Sequence, residues 1–296
     1  MTAAATRCTF ASCLNTSSSY FTNPKSKLAT KCGNADFLDK ILKASDPLFD
    51  LAGVIASSQG ASEGVVQGIG KGRALAKAGR DATAFFNIFN GVIAALVINM
   101  KNIYNLAMGL CVNAEVTLRV PDTTKKEKPK HTDKVSNQGE KWAALGENFG
   151  KGLGAATYTL GFGVCRPIAT FEKYISKNIN PTASKIGKAF PTVMMVNHIG
   201  GVIGSGSSLI FQKLAFNRLA NQQALLMNNG VDAVLEAARE EYHKKTAEAA
   251  VGFAEKGCEL IADIFHHAGV ALPAPARIPL QFAIGALSVT KIWLKD

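Results

Sequence analysis

Between Pro191 and Gln212 the chain runs PTVMMVNHIGGVIGSGSSLIFQ, without one Asp, Glu, Lys or Arg. That is about the length a helix needs to cross the apolar layer of a bilayer. Three structures suit such a run: a membrane span, a glycine-rich ligand loop or a tightly packed core helix. Its branched and aromatic side chains favour insertion. Four glycines, three serines, Pro191, Asn197 and His198 offset much of that gain. The run is marginal as a lone span and credible as half of a helical hairpin.

The other half lies upstream. GKGLGAATYTLGFGVC is also apolar, and it stops at Arg166-Pro167 about 25 residues before the first run, with the turn signal Asn180-Pro181 between them. Both runs carry small or polar residues at helix-packing steps: Gly150, Gly154, Thr157 and Gly161 in one, Asn197, Gly201, Ser205 and Ser208 in the other. Such spacing lets two helix backbones approach closely, in lipid or in a protein core. The flanks are basic. From Asn148 to Val231 the only acid is Glu172, against Lys151, Arg166, Lys173, Lys177, Lys185, Lys188, Lys213 and Arg218. Cations beside an apolar segment suit an anionic lipid surface, each contributing about 1 kcal/mol near the headgroups. The chain as a whole is +11, so nucleic acid is the other natural partner, but the interleaved basic and aromatic residues of a stacking surface are missing.

The rest of the sequence reads as helix, giving an all-α bundle with no run of alternating strands. Phe37, Leu38, Ile41 and Leu42 open an amphipathic helix that Pro47 should interrupt. One long or two consecutive helices follow from Glu63. There Thr83, Asn87, Asn90, Gly91, Lys101, Asn102 and Asn105 form a polar stripe, the mark of an amphipathic helix that packs on neighbours. Near the C-terminus Val231, Tyr242, Phe253 and Ile264 lie eleven residues apart, a period that keeps one face aligned along a long, nearly straight helix closed by Gly269. A Pro-rich turn, LPAPARIP, then leads to a last apolar helix. The expected organisation is a disordered leader (1–35), an N-terminal helical region (36–118), a basic polar linker (119–141), the apolar hairpin (142–213) and a C-terminal helical region (214–296). The leader holds no acid and eleven Ser or Thr. It lacks the continuous apolar core of a Sec signal and suits an organelle transit peptide or an unfolded bacterial secretion leader.

Catalytic signatures fail one by one. GVVQGIGKGR imitates a phosphate loop, but Gly72 stands where the magnesium-binding hydroxyl belongs and Val65 replaces the first glycine. Six scattered cysteines include no CxxC pair and read as reduced thiols. Glu259, Asp263 and His267 share a helix face and could hold a metal if another helix gave a further ligand. The plainer reading is a helix end with its histidines near the dipole. His198 beside Asn197 reads as a hydrogen-bonded polar pair inside the hairpin. No catalytic residue, cofactor or metal is expected.

The strings SSYFTNPKSKLAT, GKGRALAKAGRDATAFFNIFNG, AATYTLGFGVCRPI and VMMVNHIGGVIGSGSSL, in this order, resemble chlamydial inclusion-membrane proteins of the class I accessible protein type. The resemblance covers much of residues 18–212 and fades along the C-terminal helix. It implies type III secretion and a bilobed hydrophobic hairpin in the membrane of the vacuole that houses the bacteria. It also implies soluble parts facing host cytosol. The expected partners are an anionic membrane surface, a host protein, a secretion chaperone and a second copy of the chain. The family brings no catalytic residue. The alternative is a soluble helical scaffold whose apolar runs are all core.

Overall fold

The computed structural model describes residues 27–108, 113–115, 132–134, 138–175, 179–225 and 231–294. The fold is an all-α bundle. Helix α1 (Lys27–Ser58) turns back into α2 (Glu63–Asn87), and a π turn (Ile88–Val92) carries the chain on into α3 (Ile93–Ala107). Two three-residue strands, β1 (Asn113–Glu115) and β2 (Thr132–Lys134), pair antiparallel. Helix α4 (Gln138–Leu160) leads through a second π turn (Gly161–Cys165) to α5 (Arg166–Tyr174). There follow α6 (Pro181–Lys188), the long α7 (Phe190–Leu225) and α8 (Val231–His267), then α9 (Ala274–Trp293).

Packing follows a chain of neighbours: α2 on α1, α4 on α3, α7 on α4, α8 on α7, with α9 lying against both α8 and α1. Local signals fix the turns. Gly60 and Gly269 both take positive φ. At each, the following residue donates back five positions (Ala61 N–H to Ala56 O, 2.9 Å; Val270 N–H to Phe265 O, 3.0 Å), so both helices end in Schellman motifs that only glycine enters without strain. Asn180 caps α6 by accepting from Thr182 N–H at 2.8 Å, and Pro181 occupies the first helical position.

Four expectations need correction. The leader was expected to reach residue 35, yet α1 begins at Lys27; once its first turns nucleate, extending a helix adds one hydrogen bond per residue. Residues 1–26 and most of the 119–141 linker lie outside the described residues. Pro47 does not end α1. Arg73 on α2 reaches across it, bonding Asp46 through Nε at 2.8 Å and also holding Asp50, so an ion-paired clamp spans the proline's missing hydrogen bond. Pro47→Ala should therefore stabilise the fold by about 1 kcal/mol or more, read as a rise in the urea midpoint. The Pro-rich turn is likewise largely helix, since α9 starts at Ala274 and runs through Pro279.

The fourth correction concerns faces. On α8 the eleven-residue row does not mark one buried face: Tyr242 stacks on Phe216 of α7, but Phe253 and Ile264 are exposed, and Gly252, Glu255 and Glu259 beside the row are buried. The same inversion marks α2 and α3: Thr83, Asn87 and Asn99 are buried and Asn102 donates to Asn148 at 2.9 Å on α4, whereas Phe85, Phe86 and Met100 face outward. Among the described residues the buried apolar set is mostly alanine, with Leu106, Ala143, Ala144 and Phe211 forming its one larger cluster. This bundle packs small and polar faces together and turns many of its large apolar side chains outward.

Candidate functional site

Helices α4 and α7 are antiparallel, and glycine sets their separation. A Cβ added at Gly150 would fall 2.5 Å from Gly204 Cα and 2.6 Å from the Gly200 carbonyl oxygen; one added at Gly200 would meet Gly150 O and Gly154 N at 3.0 Å. Asn197 donates its amide to the Gly154 carbonyl at 2.5 Å, and Gly161 sits against Met194. Gly150, Gly154, Gly161 and Asn197 thus lie in one contact. Gly201 and Ser205 do not: Gly201 faces Lys256 and Ser205 faces Gly252, both on α8. Ser208 is buried. The true partners of Gly150 are Gly200 and Gly204, one residue away from the row read in the sequence. Helix α7 carries two small faces, one for each neighbour.

The second face leads into a buried ionic cluster. His198 does not pair with Asn197 inside the hairpin. Its Nδ1 lies 2.6 Å from Asp263 Oδ2 and its Nε2 lies 3.2 Å from Glu259 Oε2, both carboxylates on α8. Glu259 also binds Lys256 Nζ at 2.6 Å and Lys43 of α1. Lys43 bridges to Glu255 at 3.0 Å, and Glu255 takes Lys291 at 3.2 Å and the Ser288 hydroxyl, both on α9. Every carboxylate oxygen of Glu255 and Glu259 therefore has a donor, which a buried charge requires. Burial pushes both carboxyl groups up, but the surrounding cations, Lys43 foremost at Glu255 and Lys256 at Glu259, more than reverse this and hold both well below the usual range. Burial would lower the Lys43 ammonium; Glu259 and Glu255 keep it above its ordinary value. The cluster ties α1, α7, α8 and α9 together and presents no free nucleophile.

Of the metal trio, Glu259 and Asp263 are committed to His198 and the lysines, and His267 is exposed beside His266. No group of three metal-ligating side chains suited to an ion occurs among the described residues.

The expected lipid-facing cations divide. Arg218 pairs at 2.9 Å with Glu140, a fully buried carboxylate on α4, and Arg166 binds Asp81 at 3.0 Å while lying over the Phe190 ring at 5.2 Å. These two are structural anchors, a correction to the sequence reading. Lys151 pairs with Glu147 on its own helix. Lys173, Lys185, Lys188 and Lys213 are exposed, and Lys177 lies outside the described residues. Glu172, the lone acid of this region, accepts from Ser184 at 2.6 Å. Both helices also carry large apolar residues on their outer faces, with Trp142 (67% exposed) and Phe149 seven residues apart on α4 and Ile203 and Ile210 (58%) seven apart on α7. One helical stretch among the described residues, Pro181–Arg218, has the length and composition to cross a membrane, with 28% of its most apolar window buried. Against family models, curated proteins and solved structures the chain finds no match.

Proposed function

We propose that this chain is a secreted, non-enzymatic bacterial protein that lies against an anionic membrane and offers helical surfaces to host partners. The observation that carries the reading is the inverted bundle: most ionic and amide groups are partnered inside, tryptophan, phenylalanine and isoleucine face outward, and four exposed lysines lie in a stretch whose one acid is Glu172. Exposed apolar surface on this scale marks a contact with membrane or protein, and the lysines give that contact its sign. His198 bears on the manner of binding. Its bonds to α8 oppose α7 crossing a bilayer alone, so interfacial docking of the α4–α7 pair fits better than insertion of one helix. The secretion leader and the vacuole membrane as destination rest on the resemblance stated above.

The test is flotation with phosphatidylcholine vesicles, with and without about a third phosphatidylserine. The chain should float with the acidic vesicles, and replacing Lys185, Lys188 and Lys213 together by Gln should weaken binding by roughly 100-fold, at about 1 kcal/mol per lysine. A chain that stays in the soluble fraction with both vesicle types, and is released fully from infected-cell membranes by alkaline carbonate, would return the protein to the soluble-scaffold reading.

A further inference from the structure

Where α1, α2, α7, α8 and α9 converge they leave a cleft of about 430 Å³, within the range small ligands occupy. One wall is aromatic. Phe162, carried by the π turn after α4, stands edge-on to Phe190 at 5.3 Å and tilted against Tyr158 at 4.7 Å, and Met194 completes that side. π turns of this kind recur at functional sites.

The other wall is charged, with six Lys and Arg side chains against five carboxylates. The carboxylates are spoken for: Asp39 by Arg80, Asp46 by Arg73, Asp81 by Arg166, and Glu259 and Asp263 by the ionic cluster. Lys43, Lys256 and Arg166 are spoken for in the same pairs, whereas Lys77 and Arg80 keep donors to spare. Lys77 lies near enough to Asp46 to favour its ionised form but makes no ion pair among the described residues, and it is exposed at the rim. Arg80, one turn further along α2, spends its Nε on Asp39 at 3.3 Å and keeps its terminal donors open. Gln281 adds a buried side-chain oxygen with no hydrogen-bond partner.

The geometry points to a site for a small amphiphilic anion. A carboxylate or phosphate-ester head binds Arg80 and Lys77, a flat apolar body lies along Phe162 and Tyr158, and a hydroxyl on that body donates to Gln281. An arginine with terminal N–H groups to spare recognises such a head in paired fashion.

Calorimetric titration of the full chain tests this with three probes: phenyl phosphate, inorganic phosphate, and dihexanoyl phosphatidic acid below its micelle concentration. One equivalent of phenyl phosphate or of the short lipid should bind, inorganic phosphate about 10-fold or more weaker, and Lys77→Gln and Arg80→Gln should each cost about 10-fold. Preference for phenyl phosphate assigns the site to soluble aromatic anions; preference for the lipid assigns it to headgroups. Lys77→Gln alters an exposed side chain and leaves the fold intact, so it stays decisive if Arg80→Gln unsettles Asp39. Failure of both amphiphiles to bind, equal binding of inorganic phosphate, or unchanged affinity in Lys77→Gln would overturn the proposal. Vesicle flotation of Lys77→Gln should match the unaltered chain, which separates this site from the membrane face.

Discussion

Gly150→Val should unfold the bundle or come close to it. The Cβ alone would enter the space held by Gly204 and the Gly200 carbonyl, and those atoms are backbone, which no rotamer change can move aside. Helices α4 and α7 would have to separate along their length, breaking the Asn197 bond to Gly154 and loosening the Glu140–Arg218 pair at the far end. Overpacking typically costs about 1–3 kcal/mol, and more where backbone meets backbone. The whole of a single domain's stability is only about 5–15 kcal/mol. The control is built into the chain. Gly64 and Gly68 on α2 have nothing within 4 Å of an added Cβ, so alanine there should be neutral or stabilising by about 0.5–1 kcal/mol. Thermal unfolding followed by circular dichroism distinguishes the two outcomes. If Gly150→Val melts with the unaltered chain, the α4–α7 contact is not as close as described here.

The glycine result illustrates what sequence spacing can and cannot carry. That two apolar runs rich in small residues pair as antiparallel helices was legible, because small side chains at i, i+4 have few other uses inside a helix. Which of two adjacent rows makes the contact was not. Gly200 and Gly201 differ by 100° around α7, and both face a helix, the first α4 and the second α8. A run whose small residues fall on two sides of the helix has no unique stripe to give its orientation away.

The inverted faces have a related cause. Periodicity identifies a helix from the alternation of large apolar and polar residues, then assigns the apolar side to the core on the premise that water surrounds the molecule. In α2, α3 and α8 the period is real and the premise fails: Phe86, Met100 and Ile264 point outward while Asn87, Asn99 and Glu255 point inward. Such an arrangement holds only if each buried polar group finds a partner, and most do so within a turn or on the next helix. Asn99 donates to Ala95 O at 2.6 Å and Asn148 to Ala144 O at 2.8 Å. Partners of this kind sit far apart in sequence or on the backbone, where residue type leaves no trace. The ionic cluster is the extreme case. Glu259, Asp263 and His198 each stood out in the sequence, the histidine because it interrupts a charge-free run. Nothing there joined them to Lys43, which precedes Glu259 by 216 residues.

That cluster gives the second large effect. Lys43→Met leaves Glu255 and Glu259 buried, one turn apart, with a shared cation removed; breaking a buried pair from one side costs about 3–5 kcal/mol. The loss should depend on pH in a definite direction. Both carboxyl groups titrate below their unfolded value of about 4.3, so their contribution is complete above that pH and fades as the pH falls through the lower folded value. Lys43 is shifted the other way, so its contribution is complete below about 10.4 and is lost only as the pH climbs through its raised folded value. The unaltered chain should therefore hold a stability plateau from about pH 5 to pH 10. Lys43→Met should fall furthest below it across that plateau and converge on it under acid, where protonation of Glu255 and Glu259 removes the charge the lysine had balanced. Glu255→Gln in the Lys43→Met background should restore part of the loss at neutral pH by removing one of the two unbalanced carboxylates. Urea unfolding at pH 7 and at about pH 2, far enough below the unfolded carboxylate value to approach the folded ones, measures both. A deficit that is the same at the two pH values would mean that the lysine serves by packing alone and that the buried charges are held by Lys256, Lys291 and His198.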